Sequence, residues 1–296
     1  MSLERLNKCP LCKSGLFLNH REIKDHSVSK ESFILCECAS CNLVFTNPRP
    51  NQESIHTYYQ SDAYISHQDK ITSITDILYK LVRKYTLRTK INLLNSLKPS
   101  QGSLLDIGCG TGYLLEAANK KGWICEGIEP GKDARKLAKK KGLRVNKSLD
   151  DLKEKQFDCI SLFHVLEHIH LLRKDTKKIL RLLKETGYLI IAVPNRNSLD
   201  ANKYQANWAA WDVPRHLYHF DQRSFQKFTE EFGLEIIDQK PMIFDSYYVS
   251  MLSEKIVGSS PTKTLWKGLV NGYTSNKWAA NNQGDYSSIL FILKKK

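Results

Sequence analysis

The stretch Ser103-Leu-Leu-Asp-Ile-Gly-Cys-Gly-Thr-Gly-Tyr-Leu-Leu115 constrains this chain most. Ser103–Ile107 is a short apolar run suited to a buried parallel strand. Residues 113–121 then read as a helix that stops at Gly122. Gly108, Gly110 and Gly112 leave alternate positions of the connecting turn without side-chain bulk. The backbone can therefore approach a ligand and aim helix N–H groups at it. A dinucleotide fingerprint beginning at Gly108 requires a small residue where Tyr113 stands, and the Gly-Lys-Ser/Thr of a P-loop is absent. What stands is Asp106-x-Gly108-x-Gly110-x-Gly112, with a second acid, Glu129, ending the next apolar run. A carboxylate there can accept both hydroxyls of a ribose.

Turn, Asp106 and Glu129 together resemble the class I S-adenosylmethionine-dependent methyltransferases. The resemblance implies an α/β fold with a doubly wound, Rossmann-like sheet of seven strands. It implies S-adenosyl-L-methionine as cofactor, held by Asp106, Gly108, Cys109, Gly110, Gly112, Glu129 and Pro130, with Phe163 and His164 contributing from the end of strand four. An acidic residue after strand three, Asp150 or Asp151, is expected at the adenine amino group; helix capping is the other role open to either.

Periodicity agrees with this fold class, because apolar strand and helix alternate from Ser103 onward. Strands are expected over residues 103–107, 124–128, 143–145, 157–163, 187–194 and 234–238, and helices over 133–141, 175–183 and 223–232, the last capped by Asp221. A final strand, 286–293, is expected to lie antiparallel beside strand six. Residues 240–285 form an insertion long enough to contain helices and to shape an acceptor pocket or an oligomer contact.

Strand four runs into His164-Val-Leu-Glu-His168, at the sheet end where open α/β folds bind ligands. This is again similar to the class I family. The Asp/Asn-Pro-Pro-Tyr/Phe signature of amino-group methylation and a Pro-Cys nucleophile are both absent. Residues 195–220 read as an irregular stretch carrying Trp208, Trp211, Arg215, His216 and His219, and Pro214–Phe220 matches the family's Pro-Arg-His-Leu-x-x-Phe. Two readings compete: an aromatic, basic acceptor surface beside the cofactor, and a self-packed lid with satisfied histidines. A hydroxyl or acidic-carbon acceptor benefits from a general base, for which His164, His168, His216 and His219 are candidates, with Arg215 holding an anionic group. Glu167 and His168 can equally be buried structural partners.

Before this domain, Cys9-Pro-Leu-Cys12 and Cys38-Ala-Ser-Cys41 form two C-x2-C knuckles 25 residues apart. Four thiolates close a tetrahedral Zn2+ site with no open position, which a module this small needs in order to fold. Cys36 competes with Cys38, but only Cys38 has a partner at the right spacing. The expected division is a zinc ribbon over residues 1–48, a linker and docking helix over 49–98, and the methyltransferase domain over 99–296 with its insertion at about 240–285. The linker holds an aromatic stretch, Tyr58–Tyr64. Its helix presents Ile74, Ile77, Leu78, Leu81, Val82, Tyr85, Ile91, Leu94 and Leu97 on one face and Lys80, Arg83, Lys84 and Arg88 on the other.

Eight cysteines behind a start without a secretory signal point to metal binding in a reducing compartment, the cytoplasm, and no run reaches membrane-spanning length. With 45 Lys and Arg against 31 Asp and Glu, the net charge of +14 favours an anionic partner, although the lysines form no dominant cluster. The expected function is methyl transfer, to oxygen or carbon, on a small-molecule or glycan-precursor acceptor. An RNA methyltransferase that reads RNA through the ribbon is the alternative, and a cofactor-binding protein without turnover is a third reading. No membrane partner is expected, and the oligomeric state is open.

Overall fold

The computed structural model describes residues 2–59, 74–152 and 155–296, without the side chains of residues 74–81. Residues 60–64 of the aromatic stretch and the side chains of Ile74, Ile77, Leu78, Lys80 and Leu81 lie outside the described residues.

The chain begins with short strands, β1 (Leu3–Glu4), β2 (Phe17–Lys24), β3 (Ser32–Cys38), β4 (Val44–Thr46) and β5 (Arg49–Pro50), followed by the long helix α1 (Ile74–Leu97). The alternating part comprises β6 (Ser103–Ile107), α2 (Tyr113–Asn119), β7 (Ile124–Ile128), α3 (Lys132–Lys140), β8 (Arg144–Asn146), β9 (Phe157–Phe163), α4 (Leu172–Leu182) and β10 (Leu183–Pro194). Then come α5 (Leu199–Tyr204), β11 (Tyr218–His219), α6 (Gln222–Glu231), β12 (Leu234–Pro241), α7 (Ile243–Ile256), α8 (Pro261–Asn281) and β13 (Ser288–Lys295).

Seven strands form one sheet in the order β12-β13-β10-β9-β6-β7-β8. The strands from β10 to β8 are parallel, and β13 runs antiparallel between β12 and β10, as expected for the last strand. This is the Rossmann-like methyltransferase sheet. The chain winds outward from β6 through β7 to β8 and then returns to β9 on the other side of β6. Strand order therefore reverses between β6 and β9, which opens a crevice at their carboxyl ends.

Alternate side chains of each central strand enter opposite cores. Leu105 of β6 packs with Leu162, Ile179, Phe225 and Phe228, while Leu104 packs with Leu94, Leu115, Trp123 and Ile190. In α4, buried Leu172, Thr176, Ile179 and Leu182 recur at helical spacing, which makes one face of this Lys- and Arg-rich helix a core face. Asp221 caps α6 as expected, its Oδ1 accepting from the Ser224 N–H at 2.7 Å.

The second sheet, β11-β4-β3-β2, is antiparallel and draws its edge strand from the segment after β10: Tyr218 pairs with Phe45 and His219 with Val44. Cys9, Leu11, Leu43 and Phe45 share one core with Leu217, Phe220 and Leu162. The N-terminal module is thus packed into the large domain. Residues 195–220, expected to be irregular, are instead ordered by α5, β11 and two 3-10 turns. In the insertion, α7 and α8 approach so closely that a Cβ at Gly268 or Gly272 would strike Met251 or Tyr247. Tyr85, expected on the docking face of α1, is 53% exposed and meets Phe244 of α7 edge-on, with ring centroids 5.3 Å apart.

Candidate functional site

Gly108, Gly110 and Gly112 have φ values of 70°, 55° and 81°, a region glycine enters without a Cβ penalty. A Cβ at Gly108 would strike Val165 and one at Gly112 would strike Leu143, but one at Gly110 would meet nothing within 4 Å. The turn is closed at both flanks and open in the middle. The N–H groups of Gly108 and Cys109 donate to the Ile128 carbonyl at 2.8 and 3.0 Å, which fixes the turn to the end of β7. Glu129 follows directly. Its Oε2 accepts from the Gly110 N–H at 2.9 Å and its Oε1 from the Gly131 N–H at 2.7 Å. The Cys109 side chain is buried against Gly127, so this residue offers the cradle only its backbone.

Asp106 sits under the cradle, where its Oδ1 accepts from the Ser161 hydroxyl of β9 at 2.6 Å. Burial pushes its carboxyl up to about 6, although Ser161 and Lys90 oppose the shift. Lys90 reaches in from α1 with Nζ 3.5 Å from the Phe163 ring centroid. Burial holds its pKa down against the pull of Asp106 and Asp245. Two carboxylates around one open glycine suit a ligand that has ribose hydroxyls and a positive charge.

The segment after β9 forms the other wall. His164, itself at φ 56°, is paired through Nε2 with Asp245 of α7 at 2.9 Å and through Nδ1 with Glu167 at 3.5 Å. Burial disfavours its charge, but the two carboxylates push its pKa up to about 10. An imidazolium at neutral pH cannot accept a proton, so the arrangement does not suit His164 for the base role expected of it. His168 is the opposite case: burial and the neighbouring His216 push it down to about 4, leaving it neutral. Its Nδ1 lies 3.0 Å from both the Arg215 carbonyl and the Tyr59 hydroxyl. The His216 Nδ1 lies 2.8 Å from the Ala210 carbonyl, and its ring meets that of His168 edge-on at 4.6 Å. Donation from the His168 Nδ1 to a carbonyl leaves its Nε2 as the lone-pair nitrogen.

Other expected site residues are placed differently. Arg215 is 1% exposed, and its guanidinium donates to Asp212 (2.7 and 3.0 Å), Asp25 (2.9 Å), the Tyr58 carbonyl (2.9 Å) and the Val213 carbonyl (3.3 Å). It clamps the lid to the β2–β3 turn, buried where an acceptor anion cannot reach it. His219 is buried on β11, 3.3 Å from the Thr46 hydroxyl and edge-on to Trp211, in a packing position. The indole N–H groups of Trp208 and Trp211 donate to Asp200 (2.8 Å) and the Gln205 carbonyl (2.7 Å), so the lid packs on itself. Asp150 is exposed and paired with Lys178 at 2.7 Å, whereas Asp151 completes a capping box with Ser148. Pro130 is exposed beside Glu129.

Lys90, Asp245 and Tyr59 were not expected at the site. Lys90 belongs to a helix whose charged residues read as solvated, and Asp245 opens a helix of the insertion. No spacing links either to the cradle.

At the N-terminal module the Sγ atoms of Cys9 and Cys41 lie 3.6 Å apart and those of Cys12 and Cys38 3.5 Å apart, all four within 4.8 Å. Tetrahedral Zn–S bonds of about 2.3 Å require sulfurs at about this separation. Cys36 faces Asn19 and the Asn47 carbonyl instead.

A family model described as a methyltransferase domain matches residues 79–239, more than half of the chain. A ubiquinone biosynthesis O-methyltransferase of Idiomarina loihiensis is 25% identical over 170 residues, covering 52% of this chain and 70% of that protein. An uncharacterized protein of Methanocaldococcus jannaschii is 30% identical over 157 residues, covering 52% of this chain and 59% of its own length. The chain thus spans 70% of the first relative's length and less than two thirds of the second's. The crystal structure of magnesium protoporphyrin IX methyltransferase from Synechocystis PCC 6803 with bound SAH superposes with a TM-score of 0.55 over 83% of this chain and 100% of that one. At 13% identity it speaks for the fold alone. Cradle, sheet order and family match agree: the chain belongs to the methyltransferase domain family and is an S-adenosylmethionine-dependent methyltransferase.

Proposed function

We propose that this enzyme methylates a hydroxyl oxygen, or else an acidic carbon, of a small-molecule or glycan-precursor acceptor. The observation that carries the proposal is the pair of histidines, His168 and His216, that meet edge-on in the wall formed by the segment after β9 and the lid, with His168 held neutral by burial. Histidines set within the fold suit a compact acceptor rather than a polynucleotide, which calls for a basic groove with stacking aromatics. The relative named as an O-methyltransferase supports oxygen as the acceptor atom.

Bound S-adenosylmethionine supplies an activated methyl on a sulfonium, so the protein's task is alignment and acceptor activation. Glu129 and Asp106 orient the ribose and balance the positive charge, and Gly110 lets the cofactor lie against the backbone. His168 and His216 form the wall against which the acceptor hydroxyl is held. Trp208 and Trp211 close the lid and keep water out. A zinc ion on Cys9, Cys12, Cys38 and Cys41 holds the sheet that carries β11, and with it the lid. In this reading residues 1–48 are a structural ribbon, 49–98 a linker with a docking helix, and 99–296 the catalytic domain.

The test adds methyl-labelled cofactor and purified protein to a host lysate, which is then separated into RNA, protein and small-molecule fractions. Label in small molecules, lost with Gly110→Arg and with His168→Gln, supports the proposal. Label removed by ribonuclease transfers the assignment to RNA. Cofactor binding without label in any fraction leaves a binding protein without turnover.

A further inference from the structure

A carboxylate oxygen of Glu167 and a ring nitrogen each of His168 and His216 lie within 4.8 Å of one another. Glu167 is 0% exposed, and neither of its carboxylate oxygens accepts a hydrogen bond among the described residues. A buried carboxylate left in that state is costly unless a cation meets it. The nearest cationic group, His164, stands 3.5 Å from Oε1 and is itself engaged with Asp245 at 2.9 Å. Both histidines have Nδ1 on a backbone carbonyl, of Arg215 and of Ala210. Outer contacts of that kind fix the tautomer and ring orientation of metal-ligating histidines.

We propose that Glu167, His168 and His216 form a second metal site, for a borderline divalent transition ion. One carboxylate and two imidazoles are a donor set for zinc, iron or manganese rather than for calcium or magnesium. Three protein ligands leave a position open, unlike the four-thiolate site. An acceptor hydroxyl bound there would lose its proton to solvent more readily, as metal-bound water does. That use rests on the methyl-transfer reading above; metal binding itself does not. His216 comes from the lid and the other two ligands from the segment after β9, so the site would tie the two together.

The test titrates the full-length, zinc-replete protein with Co2+ and follows visible absorption together with elemental analysis. The expected result is two metal equivalents per chain, the second giving ligand-field bands without the intense thiolate-to-cobalt charge transfer. Glu167→Gln and His216→Gln should each weaken the second equivalent at least tenfold while the first is retained. Where Glu167→Gln fails to fold, shown by loss of the first equivalent as well, His168→Gln and His216→Gln decide. A single equivalent in the wild type, or a second that persists in the variants, overturns the proposal. Methyl transfer is not read here, so failure of the metal site and failure of the functional reading are separate results.

Discussion

Arg215 offers the sharpest test of how the site is built, because one residue is open to two incompatible roles. As a clamp, its guanidinium joins the lid to the N-terminal module through Asp25, Asp212 and the carbonyls of Tyr58 and Val213. Burial works against the Asp25 carboxylate, yet Arg215 and the Ser27 and Ser29 N–H groups hold its pKa at about 2, below the usual 3.8. Breaking a buried pair on one side costs about 3–5 kcal/mol. Asp25 would keep its bonds from Ser27, Val28 and Ser29, so the lower figure, about 3 kcal/mol, is expected for Arg215→Met. The double variant Arg215→Met/Asp25→Asn should cost less than the sum of its parts by about 2 kcal/mol, since neither buried charge is then left alone. Urea unfolding of the four proteins gives the cycle, and isothermal titration with S-adenosylmethionine gives cofactor affinity, which should not change. A coupling under about 0.5 kcal/mol would refute the clamp, most directly if Arg215→Met also raised the KM for the acceptor at unchanged stability.

Gly110→Arg should abolish S-adenosylmethionine binding at a stability cost of about 1–2 kcal/mol, the strain of a side chain at φ 55° in otherwise open space; unchanged affinity by titration would remove the cradle from the cofactor site. The folded-state pKa of Asp106 is raised to about 6 from 3.8, so the native state holds that proton more tightly and stability should fall by about 2 kcal/mol as pH rises from 4 to 6, and by about 3 kcal/mol in all from pH 3 to pH 7.5. Asp106→Asn should flatten this slope and melt higher at pH 7.5 while binding cofactor more weakly; a lower melting temperature there would contradict the argument. Stripping the proposed zinc should loosen β2–β4, and with them β11 and the packing around Trp211, seen as changed tryptophan fluorescence and new proteolytic cuts within residues 17–46. Intact fluorescence in metal-free protein would mean that the sheet stands without the ion.

Much of this was legible from local pattern. A glycine turn between an apolar strand and a helix, with an acid ending the next strand, depends on short-range spacing, and the cradle follows that spacing. The two C-x2-C knuckles are equally local, and Cys36 is distinguished from Cys38 by spacing alone. The lid was not legible in the same way. Trp208, Arg215 and His219 look like a recognition surface on the chain, but their polar atoms meet Asp200, Asp25 and Thr46, which lie 8, 190 and 173 residues away. No periodicity encodes such partners. Nor does helix patterning distinguish Lys90, whose ammonium lies over Phe163, from solvated Arg88 on the same helix.

The misread residues share a physical cause. The strand–helix core supplies Asp106, Ser161, Phe163 and His164, but Lys90 and Asp245, which balance their charge, come from α1 and from the insertion helix α7. Buried charge is tolerated only when paired, so whatever moves α1 or α7 must alter the pairing around Asp106 and His164. The elements outside the Rossmann-like sheet therefore set the electrostatics of the cradle. The N-terminal module does the same for the lid through β11 and Asp25. A boundary drawn where the strand–helix alternation begins would cut through both couplings, and the isolated core would lose Lys90 opposite Asp106 and the clamp that holds Arg215 and its neighbour His216 in place.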